Sequence, residues 1–438
     1  VSIHPAPNHP RKAFFQLSLP NILSNLTVPL AGIIDTALLG HLEDITPLAG
    51  VALGSILFDY IFWMFGFLRM STTGLTAQAL GSKQDDELVL VPSRALMSAI
   101  LIGVFILILQ IPLGDIGFWV LQGTDEVKQH GLLYYQARIW GAPVALANFV
   151  LTGWLLGRGK GRWILTLSIL GNGTNIALDY LLIYVYPLGA WGAGFATMIS
   201  QYTMFGLGIY LFIKETRGGF RFLTIKNLFN RQKQIALLKL NGDIFIRTFL
   251  LITSFSYFLS ASSGMGTLIL AANSILQKVI SLAAYFIDGL AFAVESLAGR
   301  FKGEKNQAAL DDVTRVALLT AAITGLVFAT GFHLFPNLGF SLFTDQVQIL
   351  DLLQRYSAWL YPVMFFGSAA YIWDGIYLGL SEGKILRNCM IFSTCLGFLP
   401  LAIWASHIGN VHLLWFSLAL FMVFRGVSLW WFRGRLLA

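Results

Sequence analysis

The run RWILTLSILGNGTNIALDYLLIY, residues 162–184, decides how this chain is read. As a helix it is long enough to cross about 30 Å of hydrocarbon, yet it carries Asn172, Asn175 and Asp179 in an otherwise apolar setting. Separations of three, four and seven residues stack the three side chains on one helical face. A carboxylate at that depth costs about 2.5–3.5 kcal/mol on insertion scales, and such groups face polar cavities and take part in ion or proton traffic. Working outward, a second carboxylate, Asp35, sits in the apolar run from Leu26 to Leu39 with no Lys or Arg nearby in sequence.

A cation site needs oxygen donors around one or two carboxylates. Span 5 supplies Asn172, Asn175 and Asp179, span 1 supplies Asp35, and span 6 supplies Thr197 after the small-residue run 189–194, which lets it approach span 5 closely. The plainer alternative makes Asn172 and Asn175 interhelical hydrogen-bonding groups and leaves Asp179 pinned by neighbouring hydroxyls. Burial disfavours the charged form of a carboxylate, so a group such as Asp35 gains a proton in a closed cavity and loses it in a wet one. Proton coupling requires that behaviour.

Composition agrees with a lipid-embedded chain. Of 438 residues, 56% are hydrophobic and 12% charged, where soluble domains carry about 25% charged residues. The mean hydropathy is +0.70. Cys389 and Cys395 lie on different faces of one apolar run, which argues against a disulfide, a metal site or redox chemistry. The net charge of +7 resides mostly in the loops, which fits a membrane surface and not nucleic acid.

Twelve candidate spans follow, at 13–39, 48–80, 88–112, 128–156, 162–184, 190–213, 233–260, 267–299, 308–333, 350–378, 385–407 and 412–432. The links alternate in charge. Nineteen Lys and Arg fall at the two ends and in the even-to-odd links, against Lys128 alone in the others. That bias predicts cytoplasmic termini and a cytoplasmic link between spans 6 and 7.

This link divides the spans six and six, predicting an N-lobe at 1–213, a linker at 214–232 and a C-lobe at 233–438. The halves resemble each other weakly at an offset of about 222 residues: Gly81-Ser-Lys83 matches Gly303-Glu-Lys305, and Gly153-x-x-x-Gly157 matches Gly375-x-x-x-Gly379. Six spans per half insert both halves in the same orientation, so the expected fold is an all-α integral membrane protein of two six-helix lobes. A pseudo-two-fold axis along the membrane normal relates them, and a central cleft takes the substrate. The Gly-x-x-x-Gly motifs read as close-packing helix faces. At this offset Asp35 falls opposite Tyr257 and Asp179 opposite Leu401, so the carboxylates belong to the first half alone.

The second half carries Asp243 and Arg247 four apart on span 7, and Asp288 and Glu295 seven apart on span 8. These read as buried ion pairs joining the two helices, with a proton relay as the second reading. Asp374 on span 10 is either a pathway residue or a member of that network.

Ile34-Asp35-Thr36-Ala37, Asn175-x-x-x-Asp179, Gly194-x-Ala196-Thr197 and the two-lobe arrangement resemble the multidrug and toxic compound extrusion (MATE) family. Residues 69–78 (RMSTTGLTAQ), Asn241-x-Asp243-Ile244 with Arg247, Asp288-Gly289 with Val294-Glu295, and Asp374-Gly375 resemble its DinF branch. The resemblance implies export of amphipathic, often cationic drugs and metabolites by antiport against H⁺ or Na⁺. It places the N-lobe ion and substrate site on Asp35, Asn175, Asp179 and Thr197, where Na⁺ is the one metal to consider.

The expectation is therefore an inner-membrane multidrug antiporter working by alternating access. It is expected to be a monomer, to need no cofactor beyond the coupling ion, and not to be an enzyme. The rival readings are a flippase for lipid-linked precursors, which calls for a basic cleft, and an intramembrane aspartyl protease using Asp35 and Asp179. Pro20 on span 1 is a candidate hinge. Ionised Asp35 is expected to hold to the wet face near Asn175 and Asp179, and protonated Asp35 to let helix 1 bend at Pro20.

Overall fold

A computed structural model describes residues 9–40 and 44–435, which are about 90% helical, with no strand among them. Ten helices among the described residues are long and apolar enough to cross a membrane. The first four are α1 (Pro10–Gly40), α2 (Thr46–Gly81), α3 (Glu87–Ile108) and α4 (Asp125–Gly157). The expected fifth span is α5, Gly161–Asp179, prolonged by a wider π-helical turn at Tyr180–Val185. After it come α6 (Gly189–Thr216), α7 (Arg231–Gly264), α8 (Thr267–Glu304) and α9 (Gln307–Leu334). The expected tenth span, α10, is broken into Val347–Ser357 and Leu360–Gly379. α11 (Gly383–Ile408) and α12 (Val411–Trp431) complete the twelve.

Lipid-facing helices invert the soluble pattern, as α9 illustrates. Leu319, Ile323 and Val327, one turn apart, are exposed, while Ala317, Ala321 and Gly325 are buried. A side chain at Gly325 would strike the backbone of Met364 on α10. Small residues let the helix backbones close up, and large apolar ones meet the acyl chains.

The chain forms two compact units. Leu23 to Ala236 belong to the first, so the expected linker 214–232 is part of it. The second holds Leu237–Ala438 and also α1 through Ile22. This departs from the division at 213, which placed all of helix 1 with the N-lobe. Two contacts account for it: Gly289 of α8 lies against the Ile22 backbone, and Arg11 donates to Asp312 of α9 at 2.6 Å.

The two units repeat each other's construction 222 residues apart. Lys83 and Lys305 both take left-handed backbone, φ 58° and 56°, as do Gly159 and Ser381, φ 67° and 57°. The bond from Gln84 N to Ala79 O recurs from Asn306 N to Phe301 O, and that from Lys160 N to Leu155 O recurs from Glu382 N to Tyr377 O, all at 2.9 Å. Gly153 and Gly157 of α4 leave no room for a Cβ against the carbonyls of Arg69 and Thr73 on α2. Gly375 and Gly379 of α10 meet Ala291 and Glu295 of α8 in the same way. Close helix packing is thus what both Gly-x-x-x-Gly motifs provide.

Candidate functional site

In the first unit, α1 and α5 meet along a ladder of polar contacts. The Ser24 and Ser168 hydroxyls share a hydrogen bond, Asn172 Nδ2 donates to Thr27 Oγ1 at 2.7 Å, and the Asp35 and Asp179 carboxyls lie close enough to act on each other. Residue numbers rise together on both strands of the ladder, so the helices run parallel. Two carboxylates this close repel when both are ionised, and a proton on one lets it donate to the other.

Further polar groups surround this rung. Asn175, one turn before Asp179, donates Nδ2 to Asp179 Oδ2 at 2.9 Å and approaches Thr197 Oγ1 of α6 at 3.5 Å. Thr197 spends its own proton on the Ala193 carbonyl, at 2.9 Å. Asp179 is 1% exposed. Asp35 Oδ1 and Asp179 Oδ1 are buried with no hydrogen-bond partner among the described residues, which leaves two acceptor oxygens at the rung. Asp35, Asn175, Asp179 and Thr197 thus converge, whereas Asn172 stands lower on the ladder, bonded to Thr27. The small-residue run before Thr197 serves two neighbours: Gly192 lies on Leu182 beyond α5, and Gly194 on the Tyr134 backbone of α4.

Spacing alone did not reveal a cation for Asp35. Arg138, on α4, is close enough to act electrostatically on both Asp35 and Asp59. It donates to the Tyr134 hydroxyl at 2.6 Å and lies 4.4 Å from the Phe58 ring centroid.

In the second unit, Asp374 of α10 is bracketed by two arginines. Its Oδ2 accepts from Arg425 of α12 at 2.6 Å and from Arg247 of α7. All three side chains are buried. Arg425 also stacks on Tyr371, 5.3 Å from its ring centroid, and Asp288 acts on that same tyrosine. The pairing differs from the expected one on span 7. Asp243 joins Arg387 of α11 at 2.6 Å, so the charges of span 7 tie it to spans 10 and 11 where ties to span 8 were expected. Glu295 is buried on α8, at the crossing with Gly379. Pro20 lies within the unbroken α1, two residues before the chain passes from the second unit to the first.

A family model described as MatE matches residues 20–181 and 244–404. DNA damage-inducible protein F of Escherichia coli (strain K12) is 34% identical over 425 residues, 95% of this chain and 91% of that protein. A probable multidrug resistance protein NorM of Acinetobacter baylyi is 27% identical over 71% of this chain and 70% of its own length. A solved structure described as the outward-facing conformation of a multidrug resistance MATE family transporter superposes with a TM-score of 0.86 and 22% identity, covering 98% of this chain and 96% of its own. Another, described as MATE in the bent conformation, gives 0.87 at 22% identity over 98% and 95% of the two chains.

Proposed function

This chain belongs to the MatE family of membrane transporters, and from that premise we propose that it is a secondary multidrug exporter driven by protons bound at Asp35 and Asp179. The observation that carries the reading is the close approach of these two carboxyls on apolar helices, Asp179 buried and Asp35 half-buried. The substrates would be amphipathic, often cationic compounds, exported across the bacterial inner membrane with both termini in the cytoplasm. One charge crossing 100 mV supplies about 2.3 kcal/mol to such a cycle.

One contact supports H⁺ over Na⁺: a bound Na⁺ needs oxygens turned towards it, whereas Asn175 presents its amide N–H to Asp179.

The number of protons on the pair then controls α1. With one proton the carboxyls attract, and α1 stays docked on α5 at its upper end. With none they repel, and α1 is pushed away. This proposal differs from the expectation that ionised Asp35 holds the contact, and what supports it is the second carboxylate beside Asp35. Pro20, which lacks an N–H to continue the helical ladder, is the proposed bend, placed where α1 changes units. Occupancy of the pair would bias the two packings of α1, as a ligand shifts a two-state equilibrium.

Dye efflux from inverted vesicles, driven separately by a pH gradient and by a Na⁺ gradient, tests this reading. Efflux under the pH gradient alone is expected. Efflux under the Na⁺ gradient alone would overturn it.

A further inference from the structure

Between α6 and α7 the chain crosses the surface of the first unit as a 3₁₀ turn, Arg217–Phe222, and a one-turn helix, Ile225–Leu228. This stretch is held firmly from behind. Arg94 of α3, itself buried, donates Nε and Nη2 to the Asn227 carbonyl at 3.1 and 2.9 Å, and its Nη1 to Glu87 at 2.8 Å. Asn227 Nδ2 reaches the Phe222 carbonyl at 3.0 Å, and Gln234 Nε2 reaches the Leu228 carbonyl at 2.9 Å. Gly219 packs so tightly on Val89 that a Cβ would not fit.

On the outer side this rigid frame displays apolar side chains. Ile225 is 79% exposed and Phe229, four residues on, 62% exposed, with Phe220 beside them in sequence and also exposed. Around them stand Arg217, Arg221, Lys226, Arg231 and Lys233, and from Arg217 to Lys233 there is no Asp or Glu. Lys233 shares Glu87 with Arg94, at 3.6 Å. Arg217, Arg221, Lys226 and Arg231 are exposed and make no ion pair among the described residues. Apolar groups fixed outward among unpaired cations suit one environment: the acyl boundary of a bilayer whose headgroups are anionic.

We infer that residues 217–233 form an interfacial anchor that inserts Ile225 and Phe229 below the headgroups and gathers anionic phospholipid with its four unpaired cations. The anchor attaches the first unit to the leaflet at the base of α3, α6 and α7. It is independent of the carboxyl pair, so it stands whichever ion drives transport.

A fluorophore on Ile225→Cys, in full-length protein with Cys389 and Cys395 changed to Ala, provides the test. The protein is reconstituted in phosphatidylcholine vesicles containing equal fractions of either spin-labelled phosphatidylcholine or spin-labelled phosphatidylglycerol. Shielding from aqueous iodide is expected, with several-fold stronger quenching by the glycerol lipid. That preference should vanish in Arg221→Gln/Lys226→Gln/Arg231→Gln, whose dye efflux in phosphatidylcholine shows that it folds. A label open to iodide overturns the anchor. So does equal quenching by the two lipids, and so does a label shielded from iodide and lipid alike, which would indicate a protein occupant.

Discussion

Asn175 Nδ2 lies 2.9 Å from Asp179 Oδ2, one helical turn away on α5, and donates to the carboxyl that faces Asp35. The amide therefore sets the orientation in which Asp179 meets α1.

Asp35→Asn should abolish proton-driven dye efflux while leaving the protein inserted and purifiable. Removing one of two neighbouring carboxylates relieves a desolvation cost, and the amide cannot take part in a proton cycle. Efflux at the wild-type rate, measured in inverted vesicles at matched expression, would remove Asp35 from the mechanism.

Asn175→Ala should weaken transport less completely. A hydrogen bond to a charged group is worth about 1.5–3 kcal/mol, which corresponds to roughly a tenfold to hundredfold effect on an equilibrium involving Asp179. Asp179→Asn should behave similarly or worse. The comparison to make is the efflux rate against pH: an unchanged profile in Asn175→Ala would mean that the amide does not touch the proton site.

Spin-label distances across α1, between sites flanking Pro20, should differ between low and high pH and lose that difference in Asp35→Asn. A helix of one shape in both conditions, in protein still pumping on a pH gradient, would exclude the hinge.

Around Asp374 the effects should fall on stability. Breaking a buried ion pair costs about 3–5 kcal/mol. Asp374→Asn, which leaves Arg247 and Arg425 without the carboxylate they share, should lower the thermal midpoint more than Arg247→Ala, after which Arg425 still neutralises Asp374. Normal stability in Asp374→Asn with loss of ion coupling would instead make this cluster a relay.

Gly157→Leu and Gly379→Leu should impair folding to similar degrees, because each pushes a side chain into the backbone of the facing helix. Gly206→Ala on α6 meets nothing within 4 Å and should be tolerated. Detergent-stable yield on size exclusion would separate the three.

Much of this was legible in the sequence, for identifiable reasons. Helices longer than the bilayer is thick, and carboxyls on one face of α5, are consequences of periodicity along a single chain. The turn at Lys83 announced its partner at Lys305 because both halves kept the same short motif. Partners across helices were less accessible. The charges of span 7 looked like ties to Asp288 and Glu295 of span 8, but packing gives Arg387 to Asp243 and Asp374 to Arg247. Arg425 was missed although it is a lone cation in an apolar span, the same signal that exposed Asp35. Arg138 ends an amphipathic stretch, where a cation is unremarkable until α2 and α1 are placed beside it.

The membership of α1's opening turns in the second unit bears on how the protein is made. The ribosome releases residues up to Ile22 long before Gly289 and Asp312, which receive them. Through most of translation this segment must wait in the bilayer, half of its helix docked on early neighbours and the other half without its final ones. Assembly of the second unit is thus coupled to a segment made well before the rest of it. A chain truncated after α6 would leave Ile22 and Arg11 without their native partners, a signature that membrane quality control could recognise.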